Sequence, residues 1–144
     1  MKYFVLALLL FLLGLLVSTF EPPRQAHHPL VRLRTADGFF MTFVQNHVNS
    51  MKLCREAVEA FVKTLATACP SCTVESEECA LELAGLEKAL AEGGPLPIYR
   101  VTTRELSIAL IGPPDKVRAR CERMASGLVT QGMKSANCVF PNPG

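Results

Sequence analysis

The sequence predicts an α+β protein: tandem duplicated β-β-α-β units joined by a bridging helix, about six strands and three helices in all, behind one N-terminal transmembrane helix. Three observations lead there. Residues 3–20 carry no charge. The spacing of Cys54 and Cys72 matches that of Cys121 and Cys138 to within one residue. The segments around those two pairs can be laid over each other: Arg32 falls on Arg100, Leu33 on Val101, Thr35 on Thr103, Asp37 on Glu105, Phe43 on Leu110, Cys54 on Cys121 and Val62 on Val129.

The apolar run sits between a membrane-spanning helix and a long signal-peptide core in length. Small residues at the cleavage positions are poorly matched by Val17-Ser18-Thr19 and by Arg24-Gln25-Ala26, which favours an uncleaved anchor over a cleaved signal. Lys2 precedes the run, and positive charge stays cytoplasmic, so the body is expected in the periplasm or outside the cell. It would be secreted if the segment were cleaved. No cysteine follows the run closely, which removes a lipoprotein anchor. Residues 21–30, rich in Pro and His, read as a semi-extended linker between the membrane and a globular domain at 31–144.

The first unit spans 31–76. Val31–Thr35 alternates apolar and polar residues, Ala36-Asp37-Gly38 supplies turn chemistry, and Phe39–Val44 is a more buried strand. A helix follows, from Asn46 or Asn49 to about Ala66, with Met51, Cys54, Val58, Phe61 and Leu65 on one stripe. Pro70 ends that region, and Cys72–Glu75 reads as a short strand. The bridging helix, 77–94, is predicted from Ser76 as N-cap, Glu77 and Glu78 in the first turn, the stripe Cys79, Leu83, Leu86, Leu90, and the stop Gly93-Gly94. The second unit, 95–144, repeats the first: strands Tyr99–Thr103 and Leu106–Ile111, a helix opened by Gly112-Pro113-Pro114-Asp115 with Val117, Cys121, Met124 and Leu128 inward, and a last strand Ser135–Phe140.

Export and an even cysteine count support each other, since disulfides persist outside the cytosol. A helix that turns back into an antiparallel strand rises 1.5 Å per residue against about 3.3 Å in the strand. Cys121 and Cys138 therefore meet at one height, and Cys54 and Cys72 are expected to do likewise, more loosely because the first helix is longer. Cys69 and Cys79 remain as a third pair, tying the bridging helix to the first unit. A loop of such length is worth about 3 kcal/mol per bridge in the chain-entropy model.

Composition narrows function mainly by exclusion. Net charge is +2 with no Trp and 2 Tyr, which sets nucleic acid aside. The mid-chain run Glu75, Glu77, Glu78, Glu82, Glu87, Glu92 and the late run Lys116, Arg118, Arg120, Arg123, Lys134 read as solvated helix faces. Metal binding lacks a second close ligand pair beside C-x-x-C, and His27, His28 and His47 fall in the linker or at a helix start. No catalytic residue and no cofactor site is assigned: there is no G-x-S-x-G, no P-loop, and Asp37 and Asp115 lie in turns. Cys69-Pro70-Ser71-Cys72 resembles the dithiol of glutaredoxin and of periplasmic thiol oxidases, which implies thiol–disulfide exchange by Cys69 and Cys72; here it follows a helix, whose dipole points the wrong way for a thiolate. The exported setting and the order of β and α segments resemble the peptidoglycan-binding SPOR domains, which implies a ferredoxin-like arrangement and a glycan partner. The reading from the residues themselves is a membrane-anchored, disulfide-bonded domain with a non-catalytic binding or assembly role toward an envelope protein or glycan.

Overall fold

The computed structural model describes residues 25–142. The predicted anchor at 3–20 lies outside them, and among the described residues no helix is long and apolar enough to cross a membrane. The described residues form one antiparallel sheet of six strands with three helices. The strands are β1 (His28–Arg34), β2 (Phe40–Gln45), β3 (Thr73–Ala80), β4 (Tyr99–Thr103), β5 (Leu106–Ile111) and β6 (Ala136–Val139). The helices are α1 (Met51–Ala68), α2 (Gly85–Glu92) and α3 (Pro114–Thr130).

The sheet order is β3-β1-β2-β5-β4-β6. Each half therefore has the same connectivity: a hairpin, a helix, and a strand returning to the free side of the hairpin's first strand. The halves join through β2 and β5, with Phe40 opposite Ile111, Thr42 opposite Ala109 and Gln45 opposite Leu106. Each half opens with a hairpin, so the order is not the β-α-β start of a ferredoxin-like fold.

Alternation along the strands sends two residue sets to opposite faces. Val31, Leu33, Met41, Phe43, Val101, Leu106, Ile108 and Leu110 point to one face and form the main core with Cys54 and Val58 of α1 and Val117, Cys121 and Ala125 of α3. Leu30, Val44 and Ala109 point to the other face and are buried under Leu90 of α2. The molecule is thus three-layered, with a long helix pair on one side and a short helix covering part of the other.

Local chemistry explains the boundaries. Ser50 caps α1, its hydroxyl accepting from the Leu53 N–H at 3.2 Å. Gly93 takes a left-handed conformation, φ 72°, and ends α2. Pro114 opens α3 where a missing N–H costs nothing. Gly112 is required by packing: a Cβ there would overlap the buried Phe39 ring.

Two expectations are corrected. The predicted linker ends too late, because His27 already pairs with Val48, both backbone bonds at 2.8 Å, and His28 opens β1. The bridging helix is shorter than 77–94, because residues 73–80 are strand and the helix spans only Gly85–Glu92. Ser76 does not cap a helix. Its hydroxyl accepts from Arg32 at 3.0 Å. Arg34 pairs with Glu75 at 2.8 Å, and Arg32 pairs with Glu78, so β1 supplies the cations that draw this acidic stretch into the sheet. Tertiary pairing here overrides a capping pattern that reads well locally.

Candidate binding face and the cystine cluster

The face beneath α2 is covered at one end only. Arg32 fixes α2 there, its guanidinium meeting Glu87 at 2.8 Å, while Leu90 seals Leu30, Val44 and Ala109. At the other end of the same face Phe40 and Ile111 stand opposite each other on β2 and β5, and they are 40% and 47% exposed. The guanidinium of Arg34 lies over the Phe40 ring, 4.2 Å from its centroid. Two large apolar side chains are thus directly paired on the part of the sheet face that α2 leaves open, with a cation alongside. Phe40 lies in Phe39–Val44, expected as the more buried strand of its hairpin, an expectation that does not single it out. The signal was available in the period of two: Phe39, Met41 and Phe43 share one face, so Phe40 is out of phase with them, as Ile111 is with Ile108 and Leu110.

All six cysteines are paired: Cys54 with Cys79, Cys69 with Cys72, and Cys121 with Cys138, at Cα–Cα distances of 5.9, 5.3 and 5.5 Å. The expected Cys54–Cys72 bridge and the third pair Cys69–Cys79 are not formed. The rise of helix and strand explains the exchange. Cys54 lies in the first turn of an 18-residue helix, about 20 Å before its end, and only a residue about 20 Å along the returning strand reaches it. That residue is Cys79, which points to the α1 side beside Pro29. Cys72 precedes β3 altogether and closes on Cys69 instead. In the second half Cys138 lies opposite Val101, and Val74 holds the corresponding place opposite Leu33 in the first.

The Cys69–Cys72 cystine is half-buried and sits past the C-terminal end of α1. The Cys69 N–H caps that helix on Leu65 O at 2.7 Å, and the Cys72 N–H donates to Cys69 O at 3.0 Å. The pair therefore occupies the negative pole of the helix, which disfavours the thiolate an exchange reaction needs.

The histidines gather at the end of the sheet where the described chain begins. His28 and His47 contact edge to face, ring centroids 5.8 Å apart. Burial, and then the neighbouring His47, push the His28 imidazole below its ordinary value. His28 also lines a shallow pocket with Glu82, Leu83, Lys88, Ala91 and Glu92. Among the described residues no group of three or more His, Cys, Asp or Glu is placed to hold a metal ion.

Asp37 and Glu105, equivalent in the two halves, have different surroundings. Asp37 pairs with Arg120 of α3, and that guanidinium also stacks on Phe39, 4.8 Å from its centroid. Thr35 and Arg120 hold the Asp37 carboxyl below the usual range. Leu53 holds the place of Arg120 on α1, where it is 51% exposed. Compared with known proteins, the chain matches no family model, no curated protein and no solved structure.

Proposed function

We propose that this is an exported, membrane-anchored binding module, built from a duplicated β-β-α-β unit, that engages an envelope partner through the sheet face around Phe40 and Ile111. The observation that carries the reading is the exposure of this directly paired apolar couple at the end of the face that α2 leaves uncovered. Three cystines in a domain of this size fit folding outside the reducing cytosol. The uncharged run at 3–20 supplies the anchor in this reading, and the matching connectivity of the halves supports duplication.

The test is site-specific photo-crosslinking in intact cells. A photoreactive residue at Thr42, beside the couple, should give a discrete adduct that vanishes when Phe40→Asp and Ile111→Asp are added, while a probe at Thr64 on α1 gives none. Equal labelling at both positions rejects the face. Pelleting of the protein with peptidoglycan sacculi would identify the partner as glycan, as the SPOR-like alternative requires.

Thiol–disulfide exchange is the second reading, favoured by one observation: Cys69 and Cys72 bond to each other within the exposed turn between α1 and β3. Its test is the reduction potential of that cystine in glutathione buffers. A value in the range of strong oxidants supports exchange. Persistence of the bond in reduced glutathione assigns it to the scaffold.

A further inference from the structure

The end of the domain opposite the Phe40–Ile111 couple is where the described chain starts. Antiparallel pairing brings to this one end the start of β1, the β2–α1 loop, the end of β3, the Arg104-Glu105 turn and the segment between α3 and β6. His27 is fastened there by its bridge to Val48. In the sequence only residues 21–26 separate it from the apolar run, a reach of at most about 20 Å even when fully extended. If that run is an anchor, this end cannot stand far from the bilayer.

Apolar side chains are exposed at this end too. Met51 and Leu53 in the first turn of α1, and Leu81 just past β3, are exposed, the last two by about half, 51% and 50%. Helical side chains tilt toward the helix N-terminus, and the N-terminus of α1 is at this end. The symmetry of the halves brings out one contrast. At the far end Arg120 is stacked and ion-paired; Leu53, its counterpart, has no such polar role. Lys52, Arg104 and Lys134 stand here with Glu82 and Glu105, Lys52 also pairing with Glu56 at 3.9 Å and Lys88 with Glu92 at 3.8 Å.

We infer that this end lies on the membrane, with Met51, Leu53 and Leu81 set into the headgroup layer of anionic lipid and Lys52, Arg104 and Lys134 against lipid phosphates. The inference rests on the anchored reading above. It fixes the orientation of the module, with the Phe40–Ile111 couple at the end farther from the bilayer.

The chain contains no Trp, so Leu53→Trp and Leu81→Trp each create a single fluorophore. Full-length protein is reconstituted into vesicles of phosphatidylethanolamine and phosphatidylglycerol carrying brominated acyl chains. Emission from both variants should shift to the blue and be quenched several-fold more strongly than that of Phe40→Trp, and Lys52→Glu with Lys134→Glu should reduce the quenching. Extraction with alkaline carbonate separates the two readings. If the chain leaves the membrane, the anchored reading falls and the inference with it. If the chain stays and Trp at 53 and 81 is quenched no more than Trp at 40, the orientation alone is overturned.

Discussion

Thr42 stands directly opposite Ala109 where β2 meets β5, and the two occupy the same position in their respective halves. An approximate two-fold axis therefore passes through the sheet between them. It places Val44 and Ile111 in equivalent positions, yet Val44 is buried under Leu90 while Ile111 is exposed. The inserted helix α2 breaks the symmetry and leaves one end of the face free for contact.

If that free end serves contact and not stability, Phe40→Asp with Ile111→Asp should leave the fold nearly untouched. Each change should cost about 1 kcal/mol, the strand penalty of Asp and the repulsion of two facing carboxylates included, as measured by urea denaturation. A large loss would mean that the couple belongs to the core.

Gly112→Ala should cost about 1 to 3 kcal/mol, because the added methyl meets the Phe39 ring from a backbone position that cannot retreat. Phe39→Leu in the same chain should recover part of the loss. Thermal unfolding of the two single variants and the double variant measures the coupling.

The three cystines should contribute unequally. Replacing Cys121 and Cys138 by Ala removes a loop of 17 residues and should cost about 3 kcal/mol, and replacing Cys69 and Cys72, separated by 3, about 1 to 2 kcal/mol. Peptide mapping after joint cleavage at basic residues and at glutamates checks the pairing itself. Cuts after Glu75, Glu77 or Glu78 leave Cys69 and Cys72 in one peptide and release Cys79 attached to the Cys54 peptide.

How much of this could be read from the chain is clearest at the cysteines. The strands Tyr99–Thr103 and Leu106–Ile111 and the stop at Gly93 follow from alternation and turn chemistry alone. The partner of Cys54 did not, because it depends on two lengths at once, that of α1 and that of β3. The length of β3 follows its backbone pairing with the whole of β1, alongside the Arg32–Glu78 and Arg34–Glu75 ion pairs, which residues 73–80 alone do not reveal. Alternation alone puts Phe40 on the face opposite Phe39, Met41 and Phe43, but that α2 ends short of it and leaves it uncovered depends on tertiary packing that no local pattern encodes.

Acid should weaken the fold through His28. Its imidazole binds protons less readily in the folded chain than in the unfolded one, so the unfolded state takes up more protons as pH falls through the ordinary histidine range near about 6.5. Stability should therefore be full above that range and decline below it. His28→Gln should flatten this part of the pH profile, followed by the denaturation midpoint between neutral and mildly acidic buffer.

Loss of the Arg32–Glu87 pair should loosen α2 before it unfolds the sheet. Arg32→Ala is expected to raise amide exchange across Gly85–Glu92 while leaving β4 and β5 protected.

The outer strand β3 carries Glu75, Glu77 and Glu78 and an irregular register beside Arg32 and Leu33. Open strand edges on neighbouring molecules would otherwise tend to zip into a shared ribbon. A border with a shifted register and a run of glutamates discourages such zipping, so copies of this domain can meet edge to edge and still part as separate units.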